Sequence, residues 1–313
     1  MSQPESAIAD AQAGGPSNGT PDKGQEPLAK LAERYGLRRA IARPSLPVYL
    51  RQLWERRHFV MTYATSRNVS KYSNSALGQL WQVLTPLMNA GIYWLMFGLI
   101  LGADKGIQNY PAFLITGMFV FTYTQRSVSS GAKSISGNLS LIRALHFPRA
   151  ALPFAYTIQE FQQLLISMGV LVALVLVTGE APTWFWLLIP VALLLQTMFN
   201  VGASLVLARV GSTARDLNQL LPFIMRTWLY ASGVFFSIQG KVVGAEGDVV
   251  RQWIADIMYF NPAAAYIELM RDLLMESHAP RPYIWYVCIF WAVFALIGGF
   301  WYFWRAEEKY GRG

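Results

Sequence analysis

Long runs of uncharged, apolar residues are the feature that most restricts how this 313-residue chain can fold. At 1.5 Å of rise per residue, six runs are long enough to cross a hydrocarbon layer of about 30 Å as helices. These runs are residues 77–102, 110–131, 152–178, 184–207, 219–239 and 283–304. These runs lack the alternation of apolar and polar residues that is typical of the strands of a membrane barrel. Backbone groups in lipid must then find their hydrogen-bond partners within their own helix. The sequence therefore predicts an all-α integral membrane protein with six transmembrane helices.

The distribution of positive charge predicts the orientation of these helices. Only 14% of the residues are charged, against roughly a quarter in soluble domains. Of the 26 lysines and arginines, nineteen lie before the first run, in alternate loops and after the last run, whereas five lie in the other loops. The positive-inside rule then predicts a multi-pass protein of the plasma (inner) membrane with both termini in the cytoplasm.

The composition also divides the chain into three parts. Residues 1–29 are rich in Gly, Pro, Ser, Ala and acidic residues and are predicted to form a disordered cytoplasmic tail. Residues 30–72 form a basic cytoplasmic segment, and residues 73–313 form the six-helix transmembrane domain. The single cysteine, Cys288, excludes an intramolecular disulfide.

Residues 46–62 have the pattern of an amphipathic helix rather than of a span. On a helical wheel Leu50, Leu53, Trp54 and Met61 share an apolar arc that only Arg57 interrupts. This pattern predicts an interfacial helix on the cytoplasmic leaflet, with its arginines close to anionic lipid heads. A helix packed against a soluble partner would have the same pattern, and that alternative stays open.

The longest external segment, residues 240–282, is predicted to contain two short helices before the last span. Asn261 suits an N-cap and Pro262 the first position of a helix that runs to about residue 277. Residues 249–260 also carry apolar residues at helical spacing.

Three charged residues fall within or at the margins of spans: Arg126, Glu160 and Arg226. An ionisable group in lipid is costly unless it finds a partner, reaches the interface or faces water. The three lie at similar predicted depth on the cytoplasmic side. They therefore either line a vestibule for a polar substrate or form a structural ion pair between helices.

Aromatic residues are also placed deep in the predicted spans. Aromatic rings stack on sugar rings, so a pore lined by them would suit a glycan, although a lipid-facing or helix-packing role explains any single one of these residues better. The deep aromatic residues assigned to a substrate pathway are Tyr93, Trp94, Phe97, Phe119, Tyr123, Phe223, Trp228 and Tyr230.

Several short motifs occur in a fixed order around these spans. They are the basic amphipathic helix leading into SALGQLWQVLTP at residues 75–86, NLSLIR at 138–143, FPR at 147–149, Arg215-Asp216, and YFNP at 259–262 with Arg271 downstream. In this order they resemble the permease subunits of ABC-2 type polysaccharide exporters, which export O-antigen, teichoic acid, capsule or actinobacterial galactan. The resemblance covers residues 46–313.

This resemblance implies a transport subunit and not an enzyme, with no catalytic residue, metal or cofactor of its own. The sequence contains no phosphate-binding loop of the Gly-x-x-x-x-Gly-Lys-Ser/Thr type, so ATP and Mg²⁺ are expected on a separate ABC ATPase present in two copies. The other implied partners are a second copy of this chain, membrane lipid and a polyprenyl-linked glycan as substrate, with no nucleic acid. The pore would lie between spans one, two and five of the two copies.

In similar permeases, the loop between spans two and three carries a short coupling helix that contacts the ATPase. Here Asn138 can cap a helix of one to two turns whose Leu139, Ile142 and Leu145 form an apolar face. A loop lying on the bilayer would be the alternative. The residues assigned to coupling are Asn138, Leu139, Ile142, Arg143, Leu145 and Arg149.

The resemblance also implies that the two external helices form an outer gate. The residues assigned to it are Trp253, Asn261, Pro262 and Arg271.

Three functions compete at this stage. Export of a lipid-linked glycan is the first, and efflux of drugs or small lipids by the same fold is the second. A membrane-embedded polyprenyl-phosphate transferase is the third, but such an enzyme needs carboxylates clustered at one membrane face. Glu268, Asp272 and Glu276 recur at i, i+4 and i+8, which is most simply a solvated helix face.

Overall fold

The computed structural model describes residues 44–72, 77–100, 107, 109–145, 147–214, 216–240, 249–276 and 281–310. The predicted disordered tail and Arg215 lie outside the described residues, as do the side chains of Tyr93 and Phe97. Within the described ranges the regular structure is helical, and no strand occurs there. The prediction of an all-α protein is therefore confirmed for this part of the chain.

Eleven α-helices, numbered here in chain order, account for most of the described residues. They are α1 (Leu46–Glu55), α2 (Arg57–Tyr72), α3 (Trp81–Tyr93), α4 (Tyr110–Lys133), α5 (Leu139–Ala144), α6 (Ala151–Val177), α7 (Ile189–Thr213), α8 (Leu217–Ala231), α9 (Val249–Phe260), α10 (Pro262–Leu274) and α11 (Pro282–Trp304).

Three described helices are long and apolar enough to cross a membrane. They are α6, α11 and the 30-residue helix formed by α7 with the 3₁₀ turn that precedes it, residues Trp184–Thr213. The 24-residue α4 is the most deeply buried of the long helices, with seventeen residues in the interior. The count of six spans stays a prediction.

The first and fifth predicted spans are less regular than expected. After α3 the chain continues as a π-helix over Trp94–Ile100. The predicted helix over residues 219–239 is wrong at its end, because α8 stops at Ala231 and is about 22 Å long. Gly233 has a positive φ of 69°, and the carbonyl oxygens of Gly233 and Val234 accept hydrogen bonds from a distant arginine side chain rather than from helical amides.

The amphipathic helix is longer than predicted and is broken. The helical path changes at Arg56, where α1 ends, and α2 then runs ten residues beyond the expected end at Thr62. The second half of α2 packs on α6 through polar side chains: Asn68 donates to the carbonyl oxygen and Arg67 to the side chain of Gln159. The apolar pattern of the sequence gives no sign of contacts between polar side chains, so the continuation of the helix beyond Thr62 was not predicted.

Both short helices before the last span are confirmed, together with their boundary. The side chain of Asn261 accepts a hydrogen bond of 3.1 Å from the amide of Ala263, and Pro262 occupies the first position of α10. The N-cap therefore acts as the sequence indicates. Almost all of α10 is buried, and it packs against α4 and α11.

The two most extensively paired helices, α7 and α11, touch through glycine. A Cβ added at Gly202 would overlap the carbonyl group of Ala295, and one added at Gly299 would overlap the carbonyl oxygen of Gly202. Small residues are what allow membrane helices to approach this closely.

Hydrogen bonds between side chains and backbone join α4 to α7. The buried Gln196 of α7 donates to the carbonyl oxygen of Val120 at 2.8 Å and to the hydroxyl of Thr124 at 3.0 Å. Ser204 donates to the carbonyl oxygen of Ser127 at 2.8 Å. These bonds fix the position of α4, which carries the side chains of the candidate site.

Candidate functional site

A polar cavity of about 450 Å³ lies where α3, α4 and α8 approach one another. We call it the arginine cavity, because Arg126 of α4 and Arg226 of α8 both line it. Asn89, Thr122, Gln125 and Ser129 supply further polar groups, and none of the described residues that line the cavity carries a carboxylate. The cavity therefore has hydrogen-bonding walls and a positive charge.

A second, narrow cavity of about 20 Å³ lies on the other side of Arg126, where it meets Glu160 of α6. This volume is close to that of a single water molecule. Glu160 is buried, and its Oε2 has no hydrogen-bond partner in the part of the chain that the structure describes. The narrow cavity thus places an unpartnered carboxylate oxygen beside a guanidinium group.

The structure brings the three charged span residues together only in part. Arg126 lies between the two cavities and lines both, whereas Glu160 lines the narrow one and Arg226 the arginine cavity. No ion pair within 4 Å joins Glu160 to either arginine among the described residues. A direct ion pair among these three residues is therefore not seen in the described part of the chain, and the vestibule stays a prediction.

The predicted aromatic residues separate into buried and exposed sets. Phe119 and Tyr123 are buried and line the narrow cavity, and the hydroxyl of Tyr123 donates to Thr197 at 2.9 Å. Tyr230 is half-exposed and lines the arginine cavity. Trp94 and Phe223 are exposed on the outside of the helices.

Trp228 belongs to neither set. Its indole nitrogen donates a hydrogen bond of 2.8 Å to Oδ1 of Asn261, so that it ties α8 to the N-terminus of α10.

The coupling segment forms the predicted short helix, α5, but two details of the prediction are wrong. Asn138 makes no capping hydrogen bond. The side-chain nitrogen of Asn138 donates to the carbonyl oxygen of Ser134 at 2.7 Å and to the hydroxyl of Tyr156 at 2.9 Å. The side-chain oxygen, Oδ1, accepts from the hydroxyl of Tyr63 at 2.8 Å. These partners on other helices compete for the groups that a cap would use.

The apolar face expected for α5 is also divided. Ile142 is 6% exposed and packs in the interior, whereas Leu139 is 38% and Leu145 50% exposed. Leu145 lies just beyond the end of α5 in extended backbone, so helical spacing no longer places it on the face of Ile142. The surface that this segment offers includes Leu139, Leu145 and the exposed Arg143.

Arg149, the last residue assigned to coupling, is bound within the chain. Its backbone amide donates to Oε1 of Glu307 at 3.0 Å, and its guanidinium bonds the carbonyl oxygen of Glu307. Oε2 of Glu307 accepts from the hydroxyl of Tyr49 at 2.8 Å. The end of the coupling segment, α1 and the C-terminal turn therefore meet at one buried carboxylate.

Glu307 lies beyond the last helix, and burial raises the pKa of its carboxyl group. Hydrogen bonds from Arg149 and Tyr49, and the positive charge of Arg149, oppose that shift without cancelling it. Burial likewise raises the pKa of the Tyr49 hydroxyl, and the nearby Glu307 charge adds to the rise. Sequence reasoning missed this junction, because its members lie far apart in the chain.

The residues assigned to the outer gate occupy different environments. Trp253 on α9 is exposed, whereas Asn261 and Pro262 form the start of α10. Arg271 is fully buried and makes five hydrogen bonds: two to the carbonyl oxygen of Phe113, and one each to Gly233, Val234 and the carboxylate of Glu268. Its partners fix Arg271 at the junction of α4, α10 and the chain after α8.

The predicted solvated face of α10 is wrong. Glu268 and Asp272 are buried, and only Glu276 is exposed. Glu268 pairs with Arg271 at 2.8 Å, and the carboxylate of Asp272 accepts from the amide of Arg281 at 3.1 Å. Buried partners stabilise these charges, which the periodicity alone cannot reveal.

The residues assigned to the interfacial helix differ in exposure, and their place at a membrane surface stays a prediction. Leu50, Trp54 and Met61 are exposed, Leu53 is partly buried, and Arg57 lies over the indole ring of Trp54 at 5.4 Å. Other residues of the same arc, Tyr49 and Val60, pack against the protein. The helix thus combines an anchored side with an exposed apolar side.

Within the described ranges no group of three or more His, Cys, Asp or Glu side chains is placed to hold a metal ion.

The fold and cavities together define a helical membrane protein with polar cavities between its helices. The chain belongs to the ABC-2 type transporter family, whose family model matches residues 60–275.

Curated relatives agree with this family. The chain is 28% identical over 215 residues to an O-antigen export system permease protein RfbA of Klebsiella pneumoniae, covering 68% of this chain and 79% of that protein. It is 27% identical over 189 residues to the protein of the same name from Myxococcus xanthus, covering 60% of this chain and 72% of that protein. It is 22% identical over 214 residues to the polysialic acid transport protein KpsM of Escherichia coli, covering 67% of this chain and 78% of that protein.

Proposed function

We propose that this chain is the permease subunit of an ATP-driven exporter that moves a lipid-linked polysaccharide across the plasma membrane. The cargo would be an O-antigen-like glycan or a cell-wall galactan precursor. Two copies of the chain form the transport unit, and two copies of a separate ABC ATPase bind ATP and Mg²⁺. The termini and the coupling segment face the cytoplasm.

The arginine cavity is the observation that carries this proposal. The amides, hydroxyls and two guanidinium groups of its lining, which also includes the apolar Met118, Phe121, Pro222 and Leu229, can exchange hydrogen bonds with a hydroxyl-rich glycan. Sites for drug-sized apolar molecules are lined mainly by hydrophobic and aromatic side chains. A polar lining therefore supports glycan export over drug efflux, in agreement with the names of the relatives.

The position of this cavity supports a dimeric pore. It is formed by α3, α4 and α8, which lie in spans one, two and five, where the family resemblance implies the pore. Large apolar side chains of α3 and α8, including Met88, Ile92, Leu220 and Phe223, remain exposed near it. A second copy of the chain would cover part of that apolar surface.

The exposed part of the coupling segment supports an ATPase partner. Leu139 and Leu145 present apolar side chains on a surface that also carries Arg143. Because Arg149 is bound to Glu307, a displacement of this segment would be transmitted directly to α1 and the C-terminal turn.

The test is co-expression of the chain with an ABC ATPase, followed by reconstitution into proteoliposomes. A lipid-linked glycan should stimulate ATP hydrolysis and accumulate on the far side. Changing Arg126 and Arg226 together to glutamine should lower transport by at least roughly tenfold without loss of the complex, because each loses charge-assisted hydrogen bonds to the cargo. The control is Arg305→Gln, which removes an exposed arginine beside Trp301, outside the arginine cavity.

Other results would favour the competing functions. Stimulation by apolar drugs but not by the glycan lipid would support efflux. Transfer of a glycan by the chain without the ATPase would support a transferase. Equal transport by the double variant would contradict the role given to the arginine cavity.

Glu160→Gln distinguishes the two interpretations of the buried carboxylate. A variant that is produced and folded normally but fails to transport would favour the vestibule, whereas loss of assembled protein would favour a structural role.

A further inference from the structure

Glu160 of α6 carries a carboxylate that the described side chains bury without satisfying. The residue is 7% exposed, and its Oε2 has no hydrogen-bond partner in the part of the chain that the structure describes. No ion pair within 4 Å among the described residues includes it. Burying a charge without a partner is costly, so we expect a further group to bind this carboxylate.

Arg126 of α4 is the cation that shares the narrow cavity with Glu160. Lys71 and Arg67 also act on the carboxylate electrostatically, but neither is among the described residues that line this cavity. The guanidinium of Arg126 likewise takes part in no ion pair within the described ranges. Two opposite charges therefore border one small space without forming a direct ion pair.

The size and lining of the narrow cavity fit one water molecule. Its volume of about 20 Å³ exceeds the roughly 10–15 Å³ that a bound water requires. Thr122, Tyr123 and Gln163 are further polar residues of the lining, and a buried water needs two to four polar partners. A sugar ring is too large for this volume, an anion would be repelled by Glu160, and a cation by Arg126. A small neutral molecule that both donates and accepts hydrogen bonds suits the site.

A polar route leads to this site from the side of α2. Glu160 also lines a cavity of about 690 Å³ between α2, α4 and α6, whose wall includes Ser66, Ser70 and Ser130. The two cavities share Glu160 as a wall. Water in the larger cavity can therefore exchange with a water in the narrow one when that side chain moves.

We propose that the narrow cavity binds one water molecule, which donates a hydrogen bond to the carboxylate of Glu160 and accepts one from the guanidinium of Arg126. Glu160 is then a positioning residue that acts on Arg126 through this water. A direct bidentate pair would occupy two of the five N–H donors of an arginine, whereas the bridge occupies one. The remaining donors are left for a ligand in the arginine cavity, which Arg126 also lines. The positioning role rests on the proposed function, and the bound water does not.

The experiment is hydroxyl-radical footprinting by X-ray radiolysis of the full-length protein in nanodiscs, followed by mass spectrometry. A radical formed from a bound water oxidises the side chain beside it even where bulk water has no access. Tyr123 lines the narrow cavity, and Tyr266 is its matched control: the two are 3% and 2% exposed, and the hydroxyl of Tyr266 donates to the carbonyl oxygen of Cys288. Tyr123 should be oxidised at least about tenfold faster than Tyr266, because a water is bound beside it.

Two variants of Glu160 test the role of its carboxylate. Glu160→Leu removes both acceptors of the side chain at similar volume, so Tyr123 should be oxidised as slowly as Tyr266 in this variant. Glu160→Gln keeps one oxygen as an acceptor, so oxidation of Tyr123 should remain faster than that of Tyr266. Size-exclusion elution checks that each variant is folded, and the comparison of the two tyrosines in the unchanged protein needs no variant.

Transport tests whether Glu160 acts through Arg126. Glu160→Leu should lower transport of the glycan lipid roughly fivefold, the effect of losing one hydrogen bond, and Glu160→Gln should lower it less. In the Arg126→Gln background Glu160→Leu should cause no further loss, because the group that it positions is absent. A merely structural role would lower transport by the same factor in both backgrounds.

Oxidation of Tyr123 no faster than that of Tyr266 in the unchanged protein would overturn the inference. Unchanged oxidation of Tyr123 in folded Glu160→Leu would also overturn it, because the water would then not depend on the carboxylate. Equal losses of transport in both backgrounds would contradict the positioning role. If the footprint is as expected but the unchanged protein exports no glycan lipid, the proposed function fails and the water site stands.

Discussion

The hydroxyl of Tyr49 donates a hydrogen bond of 2.8 Å to Oε2 of Glu307, although 258 positions separate the two residues in the chain. The same hydroxyl accepts from the amide of Ala150 at 3.1 Å, and Oε1 of Glu307 accepts from the amide of Arg149. Two side chains thus satisfy two backbone amides at the end of the coupling segment. This junction connects the surface proposed for the ATPase to the interfacial helix.

We expect Tyr49→Phe to lower the free energy of unfolding by about 1–3 kcal/mol, because it leaves a buried carboxylate oxygen and the Ala150 amide without a partner. The measurement is the thermal unfolding midpoint of the purified protein. Tyr286→Phe is the matched control, since Tyr286 is exposed and its hydroxyl makes no hydrogen bond in the described structure. Equal shifts in the two variants would contradict the prediction.

The raised pKa of Glu307 predicts a pH dependence with a definite sign. The folded protein binds this proton more tightly than the unfolded chain, whose carboxyl has its ordinary value of 4.5. The resulting stabilisation is complete below that value and is lost as pH rises through the folded-state pKa. Glu307→Gln should therefore flatten the fall of the unfolding midpoint over this range.

The control for the pH series is Glu55→Gln, which changes an exposed carboxylate paired with Arg51. It should keep the slope of the unchanged protein. An identical slope in Glu307→Gln would show that the pH dependence comes from another group.

Arg271→Lys should strongly destabilise the protein. Arg271 makes four hydrogen bonds to the backbone carbonyl oxygens of Phe113, Gly233 and Val234 and one to the carboxylate of Glu268. Lysine cannot reproduce this set, so the buried carboxylate would be poorly paired. The expected loss is about 3–5 kcal/mol, measured as unfolding midpoint and yield of folded protein.

Two comparisons make this prediction specific. Arg281→Lys should cost less, since Arg281 is partly exposed and lies 3.8 Å from Glu268. Gly117→Ala should destabilise through the same group, because its Cβ would lie 2.7 Å from Nη2 of Arg271. A mild effect of Arg271→Lys would show that the hydrogen bonds at this site are dispensable.

The divided surface of α5 predicts two different phenotypes. Changing Leu139 and Leu145 together to alanine should weaken association with the ATPase and leave the unfolding midpoint nearly unchanged, because both side chains are exposed. Ile142→Ala should lower stability by about 2–5 kcal/mol, because that side chain is buried. Pull-down of the ATPase and thermal unfolding separate the two effects, and intact association in the double variant would refute the coupling assignment.

Replacing Gly202 by leucine should prevent the close contact of α7 with α11. The new side chain would occupy the space of the Ala295 carbonyl group, so the helices would have to separate. We expect loss of monodisperse protein on size-exclusion chromatography. Gly169→Leu is the control, because a Cβ at that position has no described atom within 4 Å apart from its own stretch of helix, and it should leave the elution profile unchanged.

Features determined by neighbouring residues were predictable from the sequence. Asn261 followed by Pro262 is a local signal for a helix start, and the structure has that start with the expected capping bond. The helical nature of the apolar runs is equally local. The arginine cavity was predictable in outline, because Arg126, Arg226 and Tyr230 stood out as unusual residues within spans and all three line it.

Features determined by distant partners were not predictable in the same way. Asn138 has the right type and position for a cap, but Tyr63 and Tyr156 compete for its side chain. Glu268 and Asp272 recur with the spacing of a solvated face, yet other residues bury them. Gln196, which binds α4, gave no signal, because a single glutamine within an apolar run has no pattern of its own.

The backbone contact at Gly202 and Gly299 restricts the conformational changes that the molecule can make during a transport cycle. The main chains of α7 and α11 touch there over an extensive contact, so these two helices are expected to move together. Among the helices that border cavities, α2, α3 and α8 have space to move. Alternating access in this protein is thus expected to come from rearrangement of that cavity-lined half around a stationary helix pair.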